Sequence, residues 1–465
     1  MISNKVLFLI VTFLSFAIAG LLLIGSIDPD FFSYYYVGRG IIDEQDMFRD
    51  FANNKGPVLY LFFALLYFLF GNNYSLALFV GNGMLDAISI YYLFRLLSTY
   101  YGLQIKKLTI SNVILILFSV LLYKSFSITY FMGGVYAEQL GMMFLILSLW
   151  KYEQKNHFIS GLFFALSILT RASFLFFIII FPILSLVRRH KYSSLVFFGK
   201  GIAICIVPTA LFFIITGSMY DFIYNNIIFN LHYAGATSDK RLFSLLNVSL
   251  LETRIILVFL YVTFFVLIGT FFSREKNKSL LIATIYISSI LVTNPGGIFY
   301  SHHFLQFMII TFIIFALFQK MVLKAFPILV IVMVFVVGNY VIYAAIPKQS
   351  FMPPIPEASE AEYLVVVPYN PKFYFIFNKE APDRYYQPFF LLDSFNESST
   401  EDVERHKALN KDKLKKTIFM MVEFSETDKQ MTTEYLHKFG KAFHLTRKKT
   451  YQYENGKIEL YSSQL

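Results

Sequence analysis

The first 346 residues are a succession of apolar runs, and alternate junctions between them carry lysine or arginine. A backbone can be buried in hydrocarbon only if each segment satisfies its own hydrogen bonds, so runs of about 20 residues read as membrane-spanning helices. Val6 to Ile27 is the first, with Lys5 on the cytoplasmic side. Lys5 and Ala17-Ile18-Ala19 mimic a signal peptide, but Leu21-Leu22-Leu23-Ile24 continues the apolar stretch where a cleavage region should be polar, so the helix is expected to stay uncleaved. Basic residues mark the inner ends of the later runs. Ser75–Leu97 leads to Arg95, Lys106 and Lys107, and the helix opened by Gly133-Gly134-Val135-Tyr136-Ala137-Glu138 leads to Lys151 and Lys155. Phe158–Val187 starts and ends on the same side, finishing in Arg188-Arg189-His190-Lys191. Its interruption at Thr170-Arg171-Ala172-Ser173 predicts a hairpin of two short helices with Arg171 near the outer tip. With Leu108–Tyr123, Gly201–Thr216, Ile255–Phe272, Leu280–Val292, Phe304–Phe318 and Phe326–Ile346, the count is about 11 spans. Val58–Phe70 is too short to cross and is expected to lie along the outer surface or to re-enter.

The overall balance agrees. The chain is 57% hydrophobic and 15% charged, against about 45–50% and 25% for a soluble domain. Its net charge of +10 is spread through the inner turns rather than gathered on one face, which argues against nucleic-acid binding. The single cysteine, Cys205, excludes an intramolecular disulfide.

Beyond Pro347 the character changes. Pro353-Pro354-Ile355-Pro356 reads as a stiff linker. Leu364–Val367, Phe373–Phe377, Thr417–Val422, Thr450–Tyr453 and Ile458–Tyr461 are predicted strands, and Ser399-x-x-Asp402 and Ser425-x-x-Asp428 are helix-start signals. The expected organisation is a transmembrane domain over residues 1–346 and a small extracytoplasmic α/β domain over residues 347–465.

The chemistry is expected in the first external loop, residues 28–57. It carries six carboxylates (Asp28, Asp30, Asp43, Glu44, Asp46, Asp50), two arginines and Lys55. Glu138, Arg171, His302 and His303 fall on the same side of the membrane by the topology above. Carboxylates that can take a proton from an acceptor hydroxyl, beside cations that can hold a phosphate leaving group, suit glycosyl transfer from a lipid phosphate. No Gly-x-Gly-x-x-Gly or Gly-x-x-x-x-Gly-Lys stretch is present for a nucleotide. The simpler readings are a solvated turn for Asp43, Glu44 and Asp46, a snorkelling Lys55, a helix-capping Glu138 and a structural ion pair for Arg171. Adjacent His302 and His303 lack the spacing of a metal site.

Several segments together resemble a known family. Asp28-Pro29-Asp30-Phe31, then Gly38-Arg39, Arg49-Asp50-Phe51 and Lys55-Gly56-Pro57-Val58-Leu59-Tyr60, are similar to the first external loop of GT-C fold glycosyltransferases. The branch containing the protein mannosyltransferases and aminoarabinose transferases is the nearest. Gly133-Gly134…Glu138, Leu169-Thr170-Arg171, Tyr300-Ser301-His302-His303-Phe304 and Asn370-Pro371-Lys372-Phe373-Tyr374 follow in that branch's order. The resemblance implies an inverting transfer from a polyprenyl-phosphate sugar, on the extracytoplasmic face of a bacterial plasma membrane, to a glycan, lipid or protein acceptor. It implies Asp30, or else Asp28, as the base, with Lys55 on the donor phosphate. Arg171, Glu138, His302, His303 and Asp50 are further substrate contacts. No organic cofactor is implied, and a divalent metal is compatible. Two departures stand out: Phe31 replaces the acidic residue that many relatives carry after the Asp, and Gly56 replaces a proline. The rival reading is a transporter or flippase for a lipid-linked or anionic saccharide, which would carry ionisable residues near mid-membrane, often in repeated halves.

Overall fold

The computed structural model describes residues 4–23, 27–51, 54–101, 134–228, 276–293, 305–309, 355–367, 372–381, 413–423, 444–453 and 456–463, with parts of 116–124 and 429–437. The chain divides into two compact units. The first holds residues 1–28, 54–62 and 73–348; the second holds 29–53, 63–72 and 349–465.

The first unit is helical. Its described elements are α1 (Asn4–Leu22), the first turns of α3 (Pro57–Phe70), α4 (Tyr74–Tyr101), α5 (Ala137–Glu153), α6 (His157–Thr170), a 3-10 helix (Ala172–Ile179), α7 (Ile180–Arg188), α8 (Tyr192–Ile215), α9 (Met219–Ile223) and α10 (Lys276–Thr293). Three helices are long and apolar enough to cross a membrane: Asn4–Leu21, Tyr74–Thr99 and Tyr192–Ile215. Leu9 and Phe13 on α1 are 64% and 72% exposed, and Ile204, Ile214 and Ile215 on α8 are all more than half exposed. Apolar surface of that extent is stable against lipid rather than water. The expected spans at Ile255–Phe272 and Phe326–Ile346 lie outside the described residues.

Packing runs α1 on α4, α4 on α5, α5 on α6 and α6 on α8. The α6–α8 contact is set by two glycines: a Cβ on Gly161 would sit 2.0 Å from the Phe198 carbonyl oxygen, and one on Gly201 2.1 Å from that of Phe158. Removing both side chains lets the backbones touch, the usual means of joining helices where no hydrophobic driving force operates between them.

The expected hairpin is present. Arg171 breaks the helical path with extended dihedrals (φ −155°, ψ 119°) between α6 and the 3-10 helix. The chain then returns, so that His157 and His190 stack edge-on with ring centroids 5.2 Å apart. Arg188 reaches Glu153 at 3.3 Å, and Tyr152 hydrogen-bonds Ser185. Arg171 therefore stands at one end of the bundle and the Arg188–Glu153 pair at the other.

The second unit corrects two expectations. The segment read as a loop contains a 14-residue helix, α2 (Pro29–Ile42). Pro29 at its start fits a helix N-terminus, and the Phe31–Tyr36 aromatics are all buried rather than displayed. The predicted strand at Phe373–Phe377 is instead a short helix, α12 (Lys372–Ile376), preceded by another one-turn helix, α11 (Pro356–Glu360). Tertiary packing overrides β propensity here: Tyr374 lies 4.9 Å from Tyr36 and Phe375 6.0 Å from Phe32 between ring centroids, which a helical turn allows on one face. Arg39 is buried on α2, donates to the Lys379 carbonyl at 2.9 Å and lies 5.1 Å from the centre of the Tyr36 ring.

The tail forms a four-stranded mixed sheet of β1 (Tyr363–Val367), β2 (Thr417–Glu423), β3 (Leu445–Tyr453) and β4 (Gly456–Ser463), ordered β1-β2-β4-β3. β1 and β2 are parallel, with Val365 opposite Phe419; the other pairs are antiparallel. Val365, Val367, Leu414, Phe419, Met421 and Tyr461 form the core. β3 is an edge, and its exposed Arg447-Lys448-Lys449 run, with a register shift between Arg447 and Lys449, discourages pairing with another chain. The helix-start signals at Ser399 and Ser425 lie outside the described residues.

Candidate functional site

The first unit gathers four distant segments at one polar site. The starting point is the N-terminus of α5. Tyr136 precedes it in extended conformation (φ −104°, ψ 157°), and its backbone N–H donates to Gln139 Oε1 at 3.0 Å. That reciprocal bond fixes the first turn and satisfies a donor the helix leaves unpaired. Glu138 is in this turn, where the helix dipole favours a carboxylate, and is 1% exposed.

Glu138 pairs with Arg171, whose side chain is 11% exposed. The residue before Arg171, Thr170, is fully buried, and its carbonyl accepts from the Gly56 N–H at 3.0 Å. Gly56 has no room for a side chain: a Cβ would lie 2.0 Å from the Leu169 oxygen and 2.6 Å from its carbonyl carbon. This accounts for glycine at position 56. Proline would lack the N–H and would add ring atoms where the backbones meet. Lys55, next in the chain, is half-buried, and its N–H donates to Tyr60 Oη at 3.1 Å. On the other side of the α5 terminus, the Tyr136 hydroxyl donates to Asp28 Oδ2 at 2.9 Å; Asp28 is 7% exposed. The chain of contacts thus runs from Asp28 to Tyr136, two residues before Glu138, from Glu138 to Arg171, and from Thr170 beside Arg171 to Gly56 beside Lys55.

The remaining expected residues stand elsewhere. Asp30 is in the first turn of α2, partly exposed, with Tyr34 Oη 3.4 Å from its Oδ2. Asp50 is exposed, and its Oδ2 accepts from the Asp46 N–H at 2.6 Å. Asp46 Oδ1 in turn accepts from the N–H groups of Phe48 and Arg49 at 2.9 Å each. That is a self-bonded turn. His302 and His303 lie outside the described residues. Among the described residues no three His, Cys, Asp or Glu gather as a metal site would need.

One feature of the site escaped sequence reasoning. Lys124 and Asp86 form an ion pair at 2.8 Å with side chains 0% and 2% exposed. Lys124 also donates to Asn82 Oδ1 at 2.9 Å, and Gln139 Nε2 donates to Asn82 Oδ1 at 3.2 Å and Asp86 Oδ1 at 3.1 Å. The signal was available: Asp86 lies inside a run read as a span, and an ionisable residue there demands a partner. Asn82 and Asp86, four residues apart, share one face of α4.

No protein-family model matches the chain, and neither does any curated protein.

Proposed function

We propose that the chain is an integral membrane glycosyltransferase that moves a sugar from a polyprenyl-phosphate donor to an acceptor hydroxyl on the extracytoplasmic face. The observation that carries this reading is the linkage of Asp28, Lys55, Glu138 and Arg171, drawn from four separate segments, at one polar site in the first unit. Those segments are the ones the family resemblance singles out.

The family resemblance gives Asp30, ahead of Asp28, as the base. It is partly exposed and so reachable by an acceptor, whereas Asp28 is buried and engaged by Tyr136. Asp30 takes the acceptor's proton as the acceptor oxygen bonds to the anomeric carbon from the face opposite the phosphate. The bond from that carbon to the phosphate oxygen breaks, the configuration inverts, and polyprenyl phosphate leaves with the electron pair. Lys55 and Arg171 balance its growing negative charge. The ion pair with Glu138 holds Arg171 in orientation. His302 and His303 remain further donor contacts in this proposal.

A transporter is the second reading, favoured by the buried Asp86–Lys124 pair near the middle of α4. The pair's engagement by Asn82 and Gln139 argues for a fixed scaffold rather than a carrier of ions. Incorporation of label from polyprenyl-phosphate [14C]mannose, glucose and aminoarabinose into membrane acceptors separates the two. Transfer that survives in the wild type and is lost in Asp30→Asn and Lys55→Ala supports the enzyme. Full transfer in Asp28→Asn, Asp30→Asn and Lys55→Ala alike overturns the mechanism, and saccharide counterflow in proteoliposomes without transfer supports the transporter.

A further inference from the structure

The Asp86–Lys124 pair is connected to Asp28 by an unbroken series of hydrogen bonds. Asp86 Oδ1 and Asn82 Oδ1 both accept from Gln139 Nε2, which uses both amide donors. Gln139 Oε1 accepts from the Tyr136 N–H, and the Tyr136 hydroxyl donates to Asp28 Oδ2 at 2.9 Å. The Gln139 amide has only one workable orientation. Reversed, its oxygen would face the Asp86 carboxylate and its NH2 would face the Tyr136 N–H, two repulsive contacts in place of three bonds. Lys124 Nζ, bonded to Asp86 and Asn82 and fully buried, locks the far end. Tyr136 itself is 1% exposed and Gln139 0%, so water does not substitute for these partners without a structural opening.

We infer that Tyr136 and Gln139 are positioning residues for the Asp28 carboxylate, held in place by the Asp86–Lys124 pair, and that this strut fixes the residue from which Pro29 and the proposed base Asp30 follow in the chain. The inference deepens the glycosyltransferase reading and rests on it for its catalytic consequence. Mechanically, a tyrosine hydroxyl bonded to one carboxylate oxygen fixes that carboxylate's rotation, and the next residue, proline, has its own φ fixed by its ring. Burial of Tyr136, Gln139, Asp86 and Lys124 makes the constraint stiff.

The test is Tyr136→Phe, which deletes one oxygen and keeps the ring. Gln139→Met cuts the strut one step earlier, and Gln139→Glu is the conservative counterpart. Each is made in the full chain, purified in detergent and checked for monodispersity. Two measurements follow. The first is the carboxylate stretch of Asp28, isolated as the infrared difference between each protein and the same protein carrying Asp28→Asn. The second is kcat and KM for transfer from the polyprenyl-phosphate sugar that the wild type accepts. The expected result is a displaced Asp28 band in Tyr136→Phe and Gln139→Met. A kcat loss of about ten- to hundredfold should accompany it, the worth of one hydrogen bond to a charged group, with KM within about twofold because no donor contact is removed. Gln139→Glu should recover part of kcat only when its carboxyl is protonated, as pH is lowered. An unmoved Asp28 band in both variants overturns the strut. A moved band with unchanged kcat overturns its positioning role. A moved band in a wild type that transfers no polyprenyl-phosphate sugar leaves the strut standing and removes the enzymatic reading.

Discussion

Proline at position 56 should damage this protein. Gly56 meets the α6 terminus backbone to backbone. Its N–H donates to the buried Thr170 carbonyl at 3.0 Å, and a Cβ would be 2.0 Å from the Leu169 oxygen. Comfortable contact needs about 3.5 Å, so Gly56→Ala forces the two segments apart by more than an ångström. Overpacking of that kind costs about 1–3 kcal/mol. Gly56→Pro adds the loss of the N–H, leaving the Thr170 oxygen buried without that donor, a further cost of about 1–3 kcal/mol. The two terms share one contact and need not add fully, which puts Gly56→Pro at about 2–5 kcal/mol and below Gly56→Ala in stability. Fluorescence-detected size exclusion of a C-terminal fluorescent-protein fusion after graded heating ranks the three. The expected order is wild type, Gly56→Ala, Gly56→Pro, with transfer activity falling in the same order because Lys55 and Arg171 flank the contact. A Gly56→Pro protein as heat-stable and as active as wild type would refute the close approach of these two segments.

Other perturbations have equally definite outcomes. Arg171→Ala leaves Glu138, 1% exposed, without its pairing guanidinium, and should lower stability by about 3–5 kcal/mol in the same heating assay. Asp86→Ala should cost a similar amount by stranding Lys124, while Asp86→Leu with Lys124→Met should recover most of it, since an apolar pair of similar volume replaces a buried ion pair well. Gly161→Val should split α6 from α8, because its side chain would enter the Phe198 carbonyl, and should abolish a monodisperse peak. In the tail, hydrogen bonds from Lys449 and Tyr451 pull the Glu357 carboxyl down from its ordinary 4.5 to about 2. A depressed carboxyl stabilises the fold fully above its ordinary value and loses that contribution as pH falls toward 2. The ion pair is open to solvent, so its contribution is small. Limited proteolysis of the full chain between pH 5 and pH 2 should therefore show the wild type losing protection of residues 355–463, and Glu357→Gln losing little more than it already lacks.

How legible all this was depends on the kind of signal. The interruption at Arg171 was readable because a cation amid apolar residues has so few tolerable surroundings that a hairpin tip nearly follows. The strands at Leu364–Val367 and Thr417–Val422 were readable from β-branched and sulfur-rich runs that only a two-sided core would hold. Lys372–Ile376 misled, because aromatic residues favour strands in isolation, and its helical turn is decided by rings on α2 more than 300 residues away in sequence. For the same reason α2 looked like a loop: six carboxylates drew attention to solvent while the neighbouring aromatics decided the fold. The link from Asp28 to Asp86 was invisible for a different reason. A hydrogen-bond series through Tyr136 and Gln139 has no period and no motif, and only spatial proximity discloses it.

Transfer of the sugar with release of polyprenyl phosphate can be followed in purified protein. Purified protein in nanodiscs, given a polyprenyl-phosphate [14C]sugar and an extract of envelope acceptors, should release one polyprenyl phosphate for each labelled sugar transferred, with the opposite anomeric configuration in the product. Asp30→Asn should reduce both to background while remaining monodisperse. Labelled donor recovered intact on the opposite face of sealed vesicles, with no polyprenyl phosphate released, would contradict the account.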